Sequence, residues 1–307
     1  MTSPKPPWRH HYIPQFLLEK WAVDEGCLWQ FTRSRHSVHA ARKFPKAFGY
    51  EKHLYAIPGL PADRAQVLET GFFQHVDNAA AAVLAMLLGE RPIAWQRPER
   101  SAWSRFVMSL WFRTPENLGL WKAAMAELLL RPDDDIRRRY DAMRDDGEAA
   151  TFGEAMALVN PDWAEAVSMQ LLSKFVDDPD RGGRLNAMIW ETCEIRSGEH
   201  FLISDQPLIM TDTIGHEDAH IVLPISPTRL FVAAAHQRTI DNLKTHDAGT
   251  IVDEINEMVA GQARLFVGAV DQTARPLIDE YFGRLENRGI MARMVARYRQ
   301  REVEAGR

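Results

Sequence analysis

The chain has 307 residues, 46% of them apolar and 26% charged, with a formal net charge of −5. That is enough for one large domain or two small ones, with nine tryptophans and fourteen phenylalanines to fill a core. The acidic balance argues against a protein that lives on nonspecific DNA binding, two widely spaced cysteines (Cys27 and Cys193) argue against a disulfide framework, and the longest apolar run, Ala79 to Leu88, is too short to span a bilayer.

The first seven residues read as loose, and prolines without an apolar h-region do not make a signal peptide, so the expected setting is a reducing cytoplasm. From Trp8 to Ile13 the chain reads as extended, biased by Pro14, which then opens a short helix to Trp21. Asp24-Glu25-Gly26 is a turn and Cys27 to Thr32 a strand, within a small β element that closes by Val38. Arg42 to Tyr55 reads as loop with a short strand at its end.

A long helix is expected over 64–88, with Phe72, Phe73, Val76, Ala80, Val83 and Leu87 at helical spacing, Gly89 at its end and Pro92 reinforcing the stop. A second runs from Glu99 to Phe112 on the stripe Trp103, Phe106, Leu110. Thr114-Pro115 caps a third, ending near Leu130. Residues 131–150 carry seven acids and five arginines and fit either a solvated helix or a mobile connector that folds on a partner. Asn160-Pro161 starts a helix to Val176, and Asp177 to Gly183 is a loop by composition.

The texture then changes. Met188–Ile195, Phe201–Ser204, His220–Ile225 and Arg229–Ala235 are short β-rich runs, expected to form one largely antiparallel sheet. A helix over Ile251–Ala263 and a strand over Leu265–Val270 follow. From Pro276 the chain is helical and arginine-rich, with a kink at Gly289, and its amphipathic face could pack on its own domain or on another subunit. The expected fold class is α+β: a single domain over 1–307, with a small basic β part (1–60), a helical part (61–180), a sheet part (184–275) and a C-terminal helix (276–307), the helical middle packed against a mainly antiparallel sheet.

Charge is unevenly spread. Residues 1–60 hold nine Lys/Arg against four Asp/Glu and five of the eleven histidines, and Arg284 to Arg301 holds six arginines against one acid. Both ends could face an anionic ligand, or simply be solvated surface. Three polar residues break apolar stripes: Glu69, Arg113 and Asn256. A buried charge needs a partner or a shifted pKa, and the simplest arrangement is a bidentate Glu69–Arg113 pair. Ser204-Asp205 ends a strand before Pro207, where side chains become available to a pocket or serve a turn. His10 and His11 point to opposite faces if extended. An imidazole there suits acid–base work, and with Asp205 and Glu69 could hold a metal. No zinc-protease, nucleophile-elbow, redox or phosphate-loop motif is present.

The opening H-H-Y-I-P-Q-F-L-L at His10–Leu18 resembles the N-terminal signature of a large bacterial family, the DUF4238 proteins. Arg113-Thr114-Pro115, F-L-I-S-D-Q-P at Phe201–Pro207, L-P-I-S-P at Leu223–Pro227 and Ile255-Asn256 before the strand at Arg264–Val267 fit the same family. Gln206 stands where members often have asparagine. The resemblance implies architecture and motif positions but no reaction. It implies that His10, His11, Gln15, Arg113, Ser204 and Asp205 belong to one site.

Two functional readings follow. In the first, the protein is a metal-assisted hydrolase of a phosphate-containing substrate, nuclease-like. His10 or His11 is base or metal ligand, Asp205 orients it or shares a divalent cation with His11, Glu69 takes part in acid–base work and Arg113 steadies a phosphoryl oxygen. Gln15, Ser204 and Asn256 contact substrate. In the second, the same cluster is a structural network of a non-catalytic ligand- or partner-binding protein, and Glu69→Gln lowers the melting temperature. Nucleic acid or another phosphate-bearing molecule is the expected partner, with no membrane association, and the protein could oligomerise.

Overall fold

The computed structural model describes residues 7–35, 37–91, 95–131, 134–196, 198–211, 214–285 and 290–304. Pro92, Gly289 and most of the loose N-terminal start lie outside the described residues. The chain forms one α+β domain. Its strands are β1 (Arg9–His11), β2 (Leu28–Arg33), β3 (Val38–Lys43), β4 (Tyr50–Lys52), β5 (Ile189–Glu194), β6 (Ile203–Ser204), β7 (Ile209–Met210), β8 (His220–Ser226), β9 (Arg229–Ala234) and β10 (Val267–Ala269).

They pair, all antiparallel, as a ribbon β1-β4, a sheet β3-β2-β10-β6 and a sheet β5-β9-β8-β7. The C-terminal strands therefore do not share one sheet, as their sequence proximity implied. Only β6 leaves, because Gly268 of β10 lets Ile203 approach closely: a Cβ there would stand 2.8 Å from the Ile203 Cγ2.

Strands β8 and β9 are buried on both faces, which is why they read as unbroken apolar runs rather than alternating ones. Ile221, Leu223, Phe231 and Ala233 belong to the core shared with the middle helices. Val222, Leu230 and Val232 belong to a second core, shared with the Ala248–Gln262 helix. Trp103 packs edge-on against Phe231, centroids 5.5 Å apart, which fixes the Arg97–Leu110 helix on the sheet.

Local chemistry sets the helix starts. Thr114 accepts a hydrogen bond from the Asn117 N–H ahead of Pro115, as the sequence pattern indicates. Three helical stretches depart from expectation. Asp178 caps a helix over Pro179–Ala187 where composition read as loop; Asp and Pro at a helix start resemble Asp and Pro in a turn. Thr151 and Glu154 form a capping box that opens a helix over Phe152–Val159, after a solvated helix over Asp134–Met143. The helix expected over 64–88 is broken into Ala62–Ala65, a π-helical stretch over Leu68–Phe73, and Gln74–Leu87.

Candidate functional site

The β1-β4 ribbon brings the opening histidines against the π-helical stretch and the end of the Arg97–Leu110 helix. His10 is fully buried. Its Nδ1 accepts from the Tyr55 backbone N–H at 2.9 Å and its Nε2 lies 3.2 Å from the Pro7 carbonyl, which sets the tautomer with the proton on Nε2. The ring stacks on Tyr55 at 5.5 Å, and burial lowers its pKa. The Tyr55 hydroxyl in turn donates to the Arg113 carbonyl at 2.9 Å. His10 is thus a tether between backbone segments.

His11 faces the other way, as alternation requires. It is half-buried, its Nε2 lies 3.2 Å from the Gln15 amide nitrogen, and its ring meets Tyr50 at 5.4 Å. Burial, followed by the charges of Arg9, His10 and Arg113, pulls its pKa down to about 4, so it is a neutral imidazole at pH 7.

Arg113 is fully buried. The expected Glu69 pair does not form. Its terminal nitrogens instead clasp Asp77, Nη2 to Oδ1 at 2.6 Å and Nη1 to Oδ2 at 3.0 Å, and its guanidinium carbon lies 4.6 Å from the Phe73 ring centroid. The reason is register. Asp77 sits one turn after Phe73 on regular helix, whereas the i→i+5 spacing of the π stretch shifts Glu69 out of the i, i+3, i+4 pattern. Burial works against the charge on Arg113, but Asp77, Tyr55 and Glu69 together hold its pKa above the ordinary value. Glu69 remains close enough for its charge to be felt, yet its Oε2 is buried without a hydrogen-bond partner, and so is Arg113 Nε. Burial pushes the Glu69 carboxyl up to about 7; Arg113 pulls it down and Asp77 adds to the rise.

Asp205 is buried at the end of β6. Its Oδ1 accepts the backbone N–H groups of Arg264, Leu265 and Phe266 at 3.0, 3.1 and 3.2 Å, and Oδ2 lies 3.2 Å from the Arg264 nitrogen. Burial pushes its pKa up to about 6 while those amides pull it back. Its charge reaches Tyr12, whose pKa burial raises first and Asp205 second. Ser204 Oγ accepts from the Gln206 N–H at 3.2 Å, and the Gln206 amide donates to Glu116 at 2.8 Å. Asn256 stands apart from the His11–Arg113 cluster. It accepts from the Leu202 N–H at 2.7 Å and donates to the His200 carbonyl at 2.9 Å. It lines a cleft of about 250 Å³ with His200, Asp253 and Asp271.

The structure therefore gathers His11, Gln15, Glu69 and Arg113, together with Asp77 and Tyr55, which sequence reasoning missed. Asp77 carried a faint signal, four residues after Phe73 on the same stripe. Tyr55 carried none, since its role comes from a long-range pairing. Among the described residues no three His, Cys, Asp or Glu side chains gather as a metal site, and the Asp205 expected to share a cation with His11 already accepts three backbone N–H groups.

The fold and this site define an α+β protein whose N-terminal histidine ribbon is tied to a buried arginine–aspartate pair and whose sheet-end aspartate gathers a turn. The chain belongs to the DUF4238 family, described as "Protein of unknown function (DUF4238)", whose profile matches residues 9–273. No curated protein and no solved structure matches the chain.

Proposed function

We propose that this is a non-catalytic binding protein in which the Arg113 cluster is a structural network. The observation that carries this reading is the occupation of the two groups phosphoryl chemistry would need. Both terminal nitrogens of Arg113 are held by Asp77, and the Asp205 carboxylate accepts three backbone amides. A guanidinium so held cannot also clamp a phosphoryl oxygen without exposing Asp77 unpaired. The partner in this reading is nucleic acid or another phosphate-bearing ligand, met through the basic N-terminal part. No helix among the described residues is long and apolar enough to cross a membrane, and the free Cys27 and Cys193 fit a cytoplasmic setting.

The metal-assisted hydrolase has one observation on its side. Glu69 sits on a π-helical stretch, a feature often found at functional sites, with an unpartnered oxygen and a pKa of about 7 suited to proton transfer. The test is turnover of a generic phosphodiester and of single-stranded DNA by the purified chain with Mg²⁺, Mn²⁺ or Zn²⁺. The binding reading expects no turnover above buffer. Cleavage that Glu69→Gln or His11→Ala abolishes, with folding intact, would overturn it in favour of the hydrolase.

A further inference from the structure

We infer that the outer face of the β1-β4 ribbon, formed by Trp8, Arg9, Tyr50 and Lys52, binds single-stranded nucleic acid. The inference rests on the binding reading and names its partner and surface. Trp8 is 43% exposed, and its backbone carbonyl accepts from the His53 N–H at 3.0 Å, which holds it beside the ribbon. The Arg9 guanidinium carbon lies 4.7 Å from the Trp8 ring centroid and 4.8 Å from that of Tyr50, and the Lys52 ammonium lies 5.3 Å from Trp8. Trp8 and Tyr50 meet edge-on at 6.4 Å. Two aromatic rings and two cations thus form one surface cluster, with the half-buried His11 at its inner edge against Tyr50.

The pairing register makes this cluster unusual. Arg9 stands directly opposite Lys52 across the ribbon, and like charges at that position repel. Glu51, the acid on β4, lies opposite His10 and so belongs to the other face. Among the described residues no carboxylate pairs with Arg9 or Lys52. The cation–π contacts offset part of the repulsion, but a polyanion would relieve all of it. What remains on offer is positive charge at the spacing of one strand pair, beside the exposed Trp8 indole, whose cation–π partners a stacked base would displace toward its phosphates. Bases stacked on aromatic rings with phosphates tracked by cations is the recognition mode of single strands. A duplex hides its base faces, and a membrane surface would ask for a broader apolar face than one indole supplies.

The test is fluorescence anisotropy of a labelled oligothymidylate with the full chain, alongside a duplex of the same length and vesicles of phosphatidylserine. Two neutralised phosphates give a salt slope near −1.4, so affinity should fall about sevenfold between about 50 and 200 mM salt. Trp8→Ala should weaken binding by about tenfold or more, with Trp8→Phe intermediate. Arg9→Ala with Lys52→Ala should flatten the salt dependence while the melting temperature holds. The inference is overturned if the oligonucleotide does not bind, if Trp8→Ala binds like wild type, or if duplex or vesicles bind in preference. An oligonucleotide that is bound but cut would instead overturn the non-catalytic reading and leave this surface standing.

Discussion

Asp77→Asn is the sharpest probe of the buried cluster, because it removes the one carboxylate that, among the described residues, clasps the fully buried guanidinium with good geometry. Breaking a buried pair on one side costs about 3–5 kcal/mol. Asp77 is itself 24% exposed, so about 3 kcal/mol is the expected penalty at low pH. Glu69 then makes the penalty depend on pH. In the wild type its carboxyl titrates at about 7 against an unfolded value near 4.5, so the folded chain holds a proton that the unfolded chain has lost between those values. Its stabilising share is complete below pH 4.5 and is lost as pH rises through 7. Between pH 5 and pH 8 this removes roughly 2–3 kcal/mol from the wild type, at about 1.4 kcal/mol per unit. Without Asp77, the push that adds to the rise disappears and Arg113 is left for Glu69 to neutralise, so its pKa falls and that loss shrinks. The Asp77→Asn penalty should therefore be about 3 kcal/mol at pH 5 and about 1 kcal/mol at pH 8. The His11 titration, present in both chains, cancels in the difference. Urea unfolding at the two pH values measures it, and adding Glu69→Gln should abolish the pH dependence of the penalty. A variant within about 0.5 kcal/mol of wild type at pH 5, or an equal penalty at both pH values, would refute the arrangement.

The remaining predictions are simpler. Glu69→Gln alone should stabilise the chain at pH 8 by about 1–3 kcal/mol and leave it unchanged near pH 4. The sign is opposite to the expectation built on a Glu69–Arg113 pair, and a melting point lowered at pH 8 would restore that pair. Asp205→Asn puts an amide NH₂ where a carboxylate oxygen meets the Arg264 N–H, so it should speed hydrogen exchange at Arg264–Phe266; unchanged exchange there would show that the carboxylate is not what holds the turn.

Much of this was legible in the sequence, for identifiable reasons. Thr114-Pro115 announced its helix because the cap is chemistry within four residues. The apolar runs at β8 and β9 announced strands because burial on both faces leaves no polar alternation. Asp205 does follow a strand that ends at Ser204, but which backbone groups it meets depends on where residues 264–266 pass, which no local pattern encodes. The Glu69–Arg113 pairing failed because it assumed 3.6 residues per turn across a stretch that forms i→i+5 turns. Asp178-Pro179 was misread because a capped helix start and a turn use the same residues. The split into separate sheets lies in which strand Gly268 lets come close, a tertiary fact.

These contacts also show what several of the family's motif residues do in the fold. His10 joins the Tyr55 amide across 45 residues of chain, Tyr55 joins the Arg113 carbonyl across 58, and the Trp21 indole, just beyond the opening motif, joins the Phe201 carbonyl across 180. Asn256 closes the Leu202 amide and the His200 carbonyl, and Asp205 gathers a turn 59 to 61 residues away. In each case a polar side chain satisfies a backbone group that loop burial would otherwise leave without water or partner, a loss of about 1–3 kcal/mol apiece. Histidine, aspartate and asparagine suit that task for the same reason they suit catalysis, since each offers directional donors or acceptors on a short stem. Residues engaged this way tie the ribbon that carries Trp8, Arg9, Tyr50 and Lys52 to the helices and the sheet end behind it.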